Sequence, residues 1–242
     1  MGGSYRDKRL QEIRALLKKS ANAKHADFHK EYHKSSKNFY GLRSKQTSEI
    51  FKAVFPPKIK NLKQDILRLV KELWSSQWFE EQAIGLLLLE RHANELEPQD
   101  LPFIKKMIGE CEGWAHLDWI ATKMLGILAI NYGEQIYPKV RTWTKSNHLW
   151  TRRSAILIHI LPARKKKLNA EYALSTFEEL LYEKEFFIRK AIGWTLREIS
   201  KHNPEVTFEF LKEHREKVSG LTMREGARKL PATLKKEIEI TE

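Results

Sequence analysis

The chain has 242 residues, with 44 Lys and Arg against 31 Asp and Glu, and the resulting net charge of +13 implies an anionic partner, nucleic acid before any other. A single cysteine excludes an intramolecular disulfide, no apolar run reaches the ~18 residues of a membrane span, and the polar start MGGSYRDKRL has no signal-peptide core, so a cytoplasmic protein is expected. A hydrophobic content of 41% suffices for a sizeable core, and the 11 scattered glycines form no phosphate-binding loop.

In chain order, residues 1–7 read as a flexible terminus, and residues 8–20 set Leu10, Ile13, Leu16 and Leu17 on one face of an amphipathic helix. Residues 21–45 are rich in Lys, His and Ser and carry Phe28, Tyr32, Phe39 and Tyr40. Gly41 reads as a helix stop before a helix over Gln46 to Phe55. Pro56-Pro57 ends that helix, and helices over Ile59 to Trp74 and Trp78 to His92 follow. No alternation of β-branched residues and no Asn-Gly turn occurs, so the prediction is all-α.

From Trp78 onward the chain repeats. Trp78-Phe-Glu-Glu-Gln-Ala83-Ile84, Trp114-Ala-His-Leu-Asp-Trp119-Ile120, Trp150-Thr-Arg-Arg-Ser-Ala155-Ile156 and Phe186-Phe-Ile-Arg-Lys-Ala191-Ile192 share one pattern, with their first aromatics 36 residues apart each time. A degraded copy follows over Thr222 to Ala227. The second helix of each pair is predicted over Leu101–Glu110, Ile136–Lys145, Tyr172–Glu183 and Glu205–Lys212, with prolines near their starts. A fixed period of this size predicts a HEAT-like α-α solenoid, a superhelix of about six helix pairs in a single domain over residues 1–242 with a concave basic face; tetratricopeptide and ankyrin signatures are absent.

The register allows one repeat to be compared with the next. At the fourth place after the aromatic stand Gln82, Asp118, Ser154 and Lys190; one place earlier stand Glu81, Leu117, Arg153 and Arg189; at the eighth stand Leu86, Thr122, Ile158 and Trp194. Asp118 puts a carboxylate on an apolar stripe, one turn after Trp114 and one before Thr122. An unpaired buried carboxylate is costly, so Asp118 meets an Arg of a neighbouring helix, skirts the edge of the core, or serves a site. If the aromatic-led helices line the inner face, Asp118, Arg153 and Trp194 converge from successive repeats.

Other clusters carry less. His25, His29 and His33 recur every fourth residue, either as metal ligands or as a wet basic face beside DNA; no Cys or carboxylate completes a closed site, and no metal is expected. Cys111 has no partner pattern of a catalytic thiol and reads as a small buried residue. The runs Arg164 to Lys167 and Lys235-Lys236 either touch phosphates or are solvated.

The runs Glu185-FFIRKAIGWTLREISKHN-Pro204, Asn147-HLWTRRSAI-Leu157 and Trp114-AHL-Asp118 resemble the AlkD family of bacterial DNA alkylation-repair glycosylases, over roughly residues 25–235. The resemblance implies a HEAT-like solenoid in which Trp114, Asp118 and Trp194 are catalytic and Arg153, Arg197 and Tyr32 bind DNA, together with Arg152, Arg189 and Lys190 from the same blocks. It implies a monomeric hydrolase of N-glycosyl bonds that excises positively charged N3- and N7-alkylated purines from duplex DNA, without cofactor, in base excision repair. The lesion would stay in the duplex rather than enter a base pocket. A carboxylate then stabilises the oxocarbenium-like sugar and orients the attacking water. Two other readings stand beside it: a non-catalytic HEAT-like protein that binds branched or distorted DNA, and a protein-binding scaffold, for which +13 is an awkward charge.

Overall fold

A computed structural model describes residues 2–56 and 63–238, and their side chains from residue 6 onward. Pro57 and the first residues of the helix predicted from Ile59 lie outside the described residues. Among the described residues the chain is all-α, with an isolated parallel bridge between Asn38 and Trp78 and no strand. No described helix is long and apolar enough to cross a membrane.

The helices gather into two compact units, residues 1–95 with 110–119 and residues 96–109 with 120–242. The first holds α1 (Gly2–Lys19), α2 (Ala23–His33), α3 (Ser44–Val54), α4 (Lys63–Trp74), α5 (Phe79–Arg91) and the short α7 (Trp114–Trp119). The second holds α6 (Leu101–Gly109), a π-helical turn (Ile120–Leu125), α8 (Gly126–Arg141), α9 (Leu149–Leu157), α10 (Ile160–Arg164), α11 (Ala170–Glu178), α12 (Phe186–Ser200), α13 (Pro204–Glu213), α14 (Gly220–Ala227) and α15 (Ala232–Glu237).

In the first unit α3 packs on α5 and α5 on α7; in the second α9 packs on α12 and α12 on α14. Within each unit the helices that follow the repeat's aromatics thus pack side by side, α5 on α7 in the first and α9 on α12 in the second. Their apolar faces are buried: Ile84, Leu86 and Leu89 on α5, Val70 and Leu73 on α4, on which α5 packs, and Ile188, Leu196 and Ile199 on α12. The helix predicted over Ile136–Lys145 is the far half of α8, set off by a kink at Tyr132 (φ −140°, ψ 36°) and followed by a 3-10 turn over Thr142–Lys145. Pro138, six residues past the kink, lies inside this half of the helix, where its missing amide hydrogen removes one intrahelical bond.

Gly41 does not stop a helix. α2 ends at His33, and Gly41 lies in the following loop with φ +81°, where a Cβ would stand 2.1 Å from the Asn22 carbonyl oxygen. Only glycine fits both the angle and the space. The loop is held by Glu80 at the start of α5, 2% exposed, whose carboxylate accepts from the amides of Tyr40 (3.0 Å), Gly41 (2.8 Å) and Leu42 (3.1 Å). Its neighbour Glu81 accepts from the Tyr40 hydroxyl at 3.0 Å and pairs with Arg14 of α1 at 3.2 Å.

In the second unit His159 is buried between Tyr137, stacked at 5.1 Å, and Phe177. Burial presses its pKa down to about 3, which keeps the ring neutral.

Candidate nucleic-acid interface

In the first unit the candidate site grows from the junction before α7. Glu112 accepts from the Ser35 hydroxyl (2.7 Å), the Ser36 amide (2.7 Å) and the Ser36 hydroxyl (2.6 Å). This ties the chain after α2 to the start of α7 and brings Tyr32 against Trp114, edge to face, with ring centres 6.0 Å apart. Phe28, one turn earlier on α2, stacks on Tyr32 at 6.1 Å, and both rings are largely exposed. Behind them His33 stacks on Phe79 (4.9 Å), and Phe79 stacks on His116 (4.0 Å). His116 is buried in the wall, and desolvation first, then the charges of His33 and Lys37, press its pKa down to about 3. The wall is therefore neutral at physiological pH.

Asp118 lies one turn after Trp114 on α7 and is half-buried. Its neighbour Trp119 donates its indole N–H to Glu90 at 2.6 Å. Phe28, Tyr32, Leu42, Ala83, Trp114 and Trp119 line an open cavity of about 490 Å³. Tyr32 and Trp114, joined only by resemblance in the sequence, are thus neighbours in space. Phe28 and Trp119 have no functional role assigned from the sequence. Trp119 had a signal in the register, since the other three repeats carry Ala83, Ala155 and Ala191 at the same place.

In the second unit the basic residues of the repeat blocks, Arg152, Arg153, Arg189, Lys190 and Arg197, all have acceptors inside the protein. Arg152 pairs with Glu183 at 2.6 Å and donates to the Ser146 carbonyl at 2.7 Å, while Arg189 donates to the Glu183 carbonyl at 2.9 Å. Arg153 is only 3% exposed; its guanidinium donates to the Phe187 carbonyl and lies over the Phe187 ring at 5.7 Å. Arg153 therefore fastens the first turn of α12, the helix that presents the half-buried Trp194. Lys190 and Arg197, one turn to either side of Trp194, share the carboxylate of Glu225 on α14. Burial would raise the Glu225 pKa, but the Lys190 hydrogen bond and the charges of Lys190, Arg197 and Arg228 outweigh it and hold the carboxyl below its ordinary value. α12 and α14 approach closely at Gly193, where a Cβ would come 2.6 Å from the Glu225 Cβ and 3.1 Å from the Thr222 carbonyl oxygen.

Cys111 is buried, and desolvation, with the charges of Glu110 and Asp118, pushes its thiol pKa far up, which makes it inert. His25, His29 and His33 run along α2 as a row of rings 6.4 Å apart, and no group of three or more metal-ligating side chains gathers among the described residues.

The two buried neutral histidines give a first expected result. Their folded-state pKa of about 3 lies below the ordinary 6.5 that the unfolded chain regains, so stability present above pH 6.5 is lost as the pH falls from there towards 3. Each ring contributes a slope approaching about 1.4 kcal/mol per pH unit in that window. Tm measured between pH 7 and pH 5 should fall steadily; a level Tm would contradict the neutral burial of both rings.

The chain matches the model of a protein family described as DNA alkylation repair enzyme over residues 13–230. It matches none of the curated proteins with which it was compared. Among solved structures, a protein from Enterococcus faecalis described as a predicted DNA alkylation repair enzyme is 22% identical, with 88% of this chain and 98% of that chain covered and a TM-score of 0.78. AlkD2 from Streptococcus mutans is 20% identical, with 79% and 92% covered and a TM-score of 0.58. At these identities the two structures establish a shared fold.

Proposed function

The chain belongs to the DNA alkylation repair enzyme family, and on that premise we propose that it is a monofunctional DNA glycosylase that excises positively charged N3- and N7-alkylated purines from duplex DNA. The observation that carries this reading is Asp118, half-buried one turn after a Trp114 whose ring is edged by Tyr32. An alkylated purine of this kind is already a cation and leaves without a protonating acid. Cleavage of the glycosidic bond then leaves positive charge on the sugar, which a fixed carboxylate stabilises while orienting water for attack. One acid is enough, and the neutral aromatic wall beside it contributes surface for the sugar and backbone without adding competing charge.

In this reading Asp118, Trp114 and Trp194 are catalytic. Tyr32, Arg152, Arg189, Lys190 and Arg197 contact DNA, and Arg153 acts through its hold on the first turn of α12. The protein works as a cytoplasmic monomer without cofactor or metal. The net charge of +13 supports binding driven by phosphate contacts, which carry affinity but little sequence preference.

The test is release of 7-methylguanine from methylated duplex DNA by the purified protein. Free base should appear, with binding to unmodified duplex that weakens with salt at a log-log slope of about −5 for about six neutralised phosphates. Salt-dependent binding without release would leave the non-catalytic DNA-binding reading in its place, and a slope near zero would remove nucleic acid as the partner.

A further inference from the structure

Among the described residues only two other than glycine have a positive φ, and both are lysines: Lys34 at +47° and Lys166 at +57°. Each ends a helix. After α2, the Lys34 amide donates to Glu31 and the Ser35 amide reaches back to Lys30. After α10, the Lys166 amide donates to Ala163 at 3.1 Å and the Lys167 amide reaches back to Pro162 at 2.8 Å. These are helix-closing turns whose left-handed residue is ordinarily glycine, because a Cβ there crowds the following carbonyl. Two separate turns, one in each unit, keep a lysine where glycine would be less strained.

Both side chains are exposed, and among the described residues neither ammonium has a hydrogen bond or ion pair. Lys166 is flanked by the exposed Lys165 and Lys167, whereas the preceding Arg164 is spent on Glu198 at 2.9 Å. Lys34 stands between Lys30 and Lys37 on the chain. The contrast with Arg152, Arg153, Arg189, Lys190 and Arg197 is plain, since each of those already has an acceptor. Backbone strain kept at an exposed cation marks a position held for an outside partner.

We propose that Lys34 and Lys166 are phosphate-binding residues, fixed by their helix-closing turns at a cost in stability, and that they add DNA contacts to those of the residues that already have internal acceptors. This rests on the duplex-DNA reading above. The rigid turn removes the main freedom of the backbone beneath each ammonium, so less ordering remains to be done when a phosphate arrives.

The experiment uses the full chain with Lys34→Gly, Lys166→Gly and Lys166→Arg. Binding to a labelled unmodified duplex is followed by anisotropy over a range of salt, and thermal unfolding is measured alongside. Each glycine variant should raise Tm by about 2 °C as strain is relieved. Each should also flatten the salt slope by about one and weaken binding about eightfold near 0.1 M salt. Lys166→Arg should bind like wild type. Glycine variants with wild-type affinity and slope would overturn the proposal. A fall in Tm would overturn it too, because the lysines would then be serving the negative end of the helix dipole. Wild-type protein that binds no duplex would defeat the function proposed above and this inference with it; tight binding by wild type and variants alike would defeat this inference alone.

Discussion

Asp118→Asn is expected to slow single-turnover release of 7-methylguanine by about a thousandfold while leaving fold and DNA affinity in place. The substitution is nearly isosteric and removes only the negative charge. A carboxylate about 4 Å from the developing cation, at an effective dielectric of about 20, contributes roughly 4 kcal/mol. At about 1.4 kcal/mol per decade that corresponds to about three decades of rate. Residual excision persists because the cationic base departs slowly unaided. Equal rates for wild type and variant, at saturating protein, would make Asp118 structural and remove the basis of the glycosylase reading.

The second large effect concerns stability. Glu80→Ala should lower Tm by about 10 °C, from a loss of about 3–5 kcal/mol in a chain of this length. The carboxylate satisfies three buried amides of the Tyr40 to Leu42 loop, and alanine would leave all three without a partner. The loop follows α2, so the loss should reach the aromatic wall: Tyr32 should no longer hold its edge against Trp114, and indole fluorescence should shift well below the melting transition. A variant that melts within a degree or two of wild type would show that water replaces the carboxylate at those amides.

Glu80 also illustrates what the sequence makes legible. Its neighbours on α5 follow the 36-residue period, and that period is written in aromatics and small apolar residues that the core selects. Helix positions, the stacking of α9, α12 and α14, and the all-α class follow from that pattern because burial at helical spacing is a local property of the chain. The Glu80 clamp joins residues about 40 positions apart, and nothing local marks it. The same holds for the cations. The internal partners of Arg152, Lys190 and Arg197 are not visible in the sequence because Glu183 and Glu225 come from turns and helices about 30 residues away. α2 was obscured for another reason. It buries no residue fully, so its polar, His-rich sequence has no apolar stripe, and it is ordered by its asparagine cap and by ring contacts of Phe28, Tyr32 and His33. The one mark of the cavity beside Trp114 in the sequence is Trp119, the large ring at a place where every other repeat keeps alanine.

The close approach at Gly193 links two variables that usually vary independently. Any side chain there would press on the Cβ of Glu225 and on the backbone at Thr222, forcing α14 outward and drawing the shared carboxylate away from Lys190 and Arg197. A steric substitution at one position would thus appear as an electrostatic one at two others, releasing positive charge on the flanks of Trp194. Among relatives of this chain, the residue at 193 and the acid at 225 should therefore change as a pair. A lineage that gave up the glycine alone would carry a more adhesive surface, prone to hold undamaged DNA.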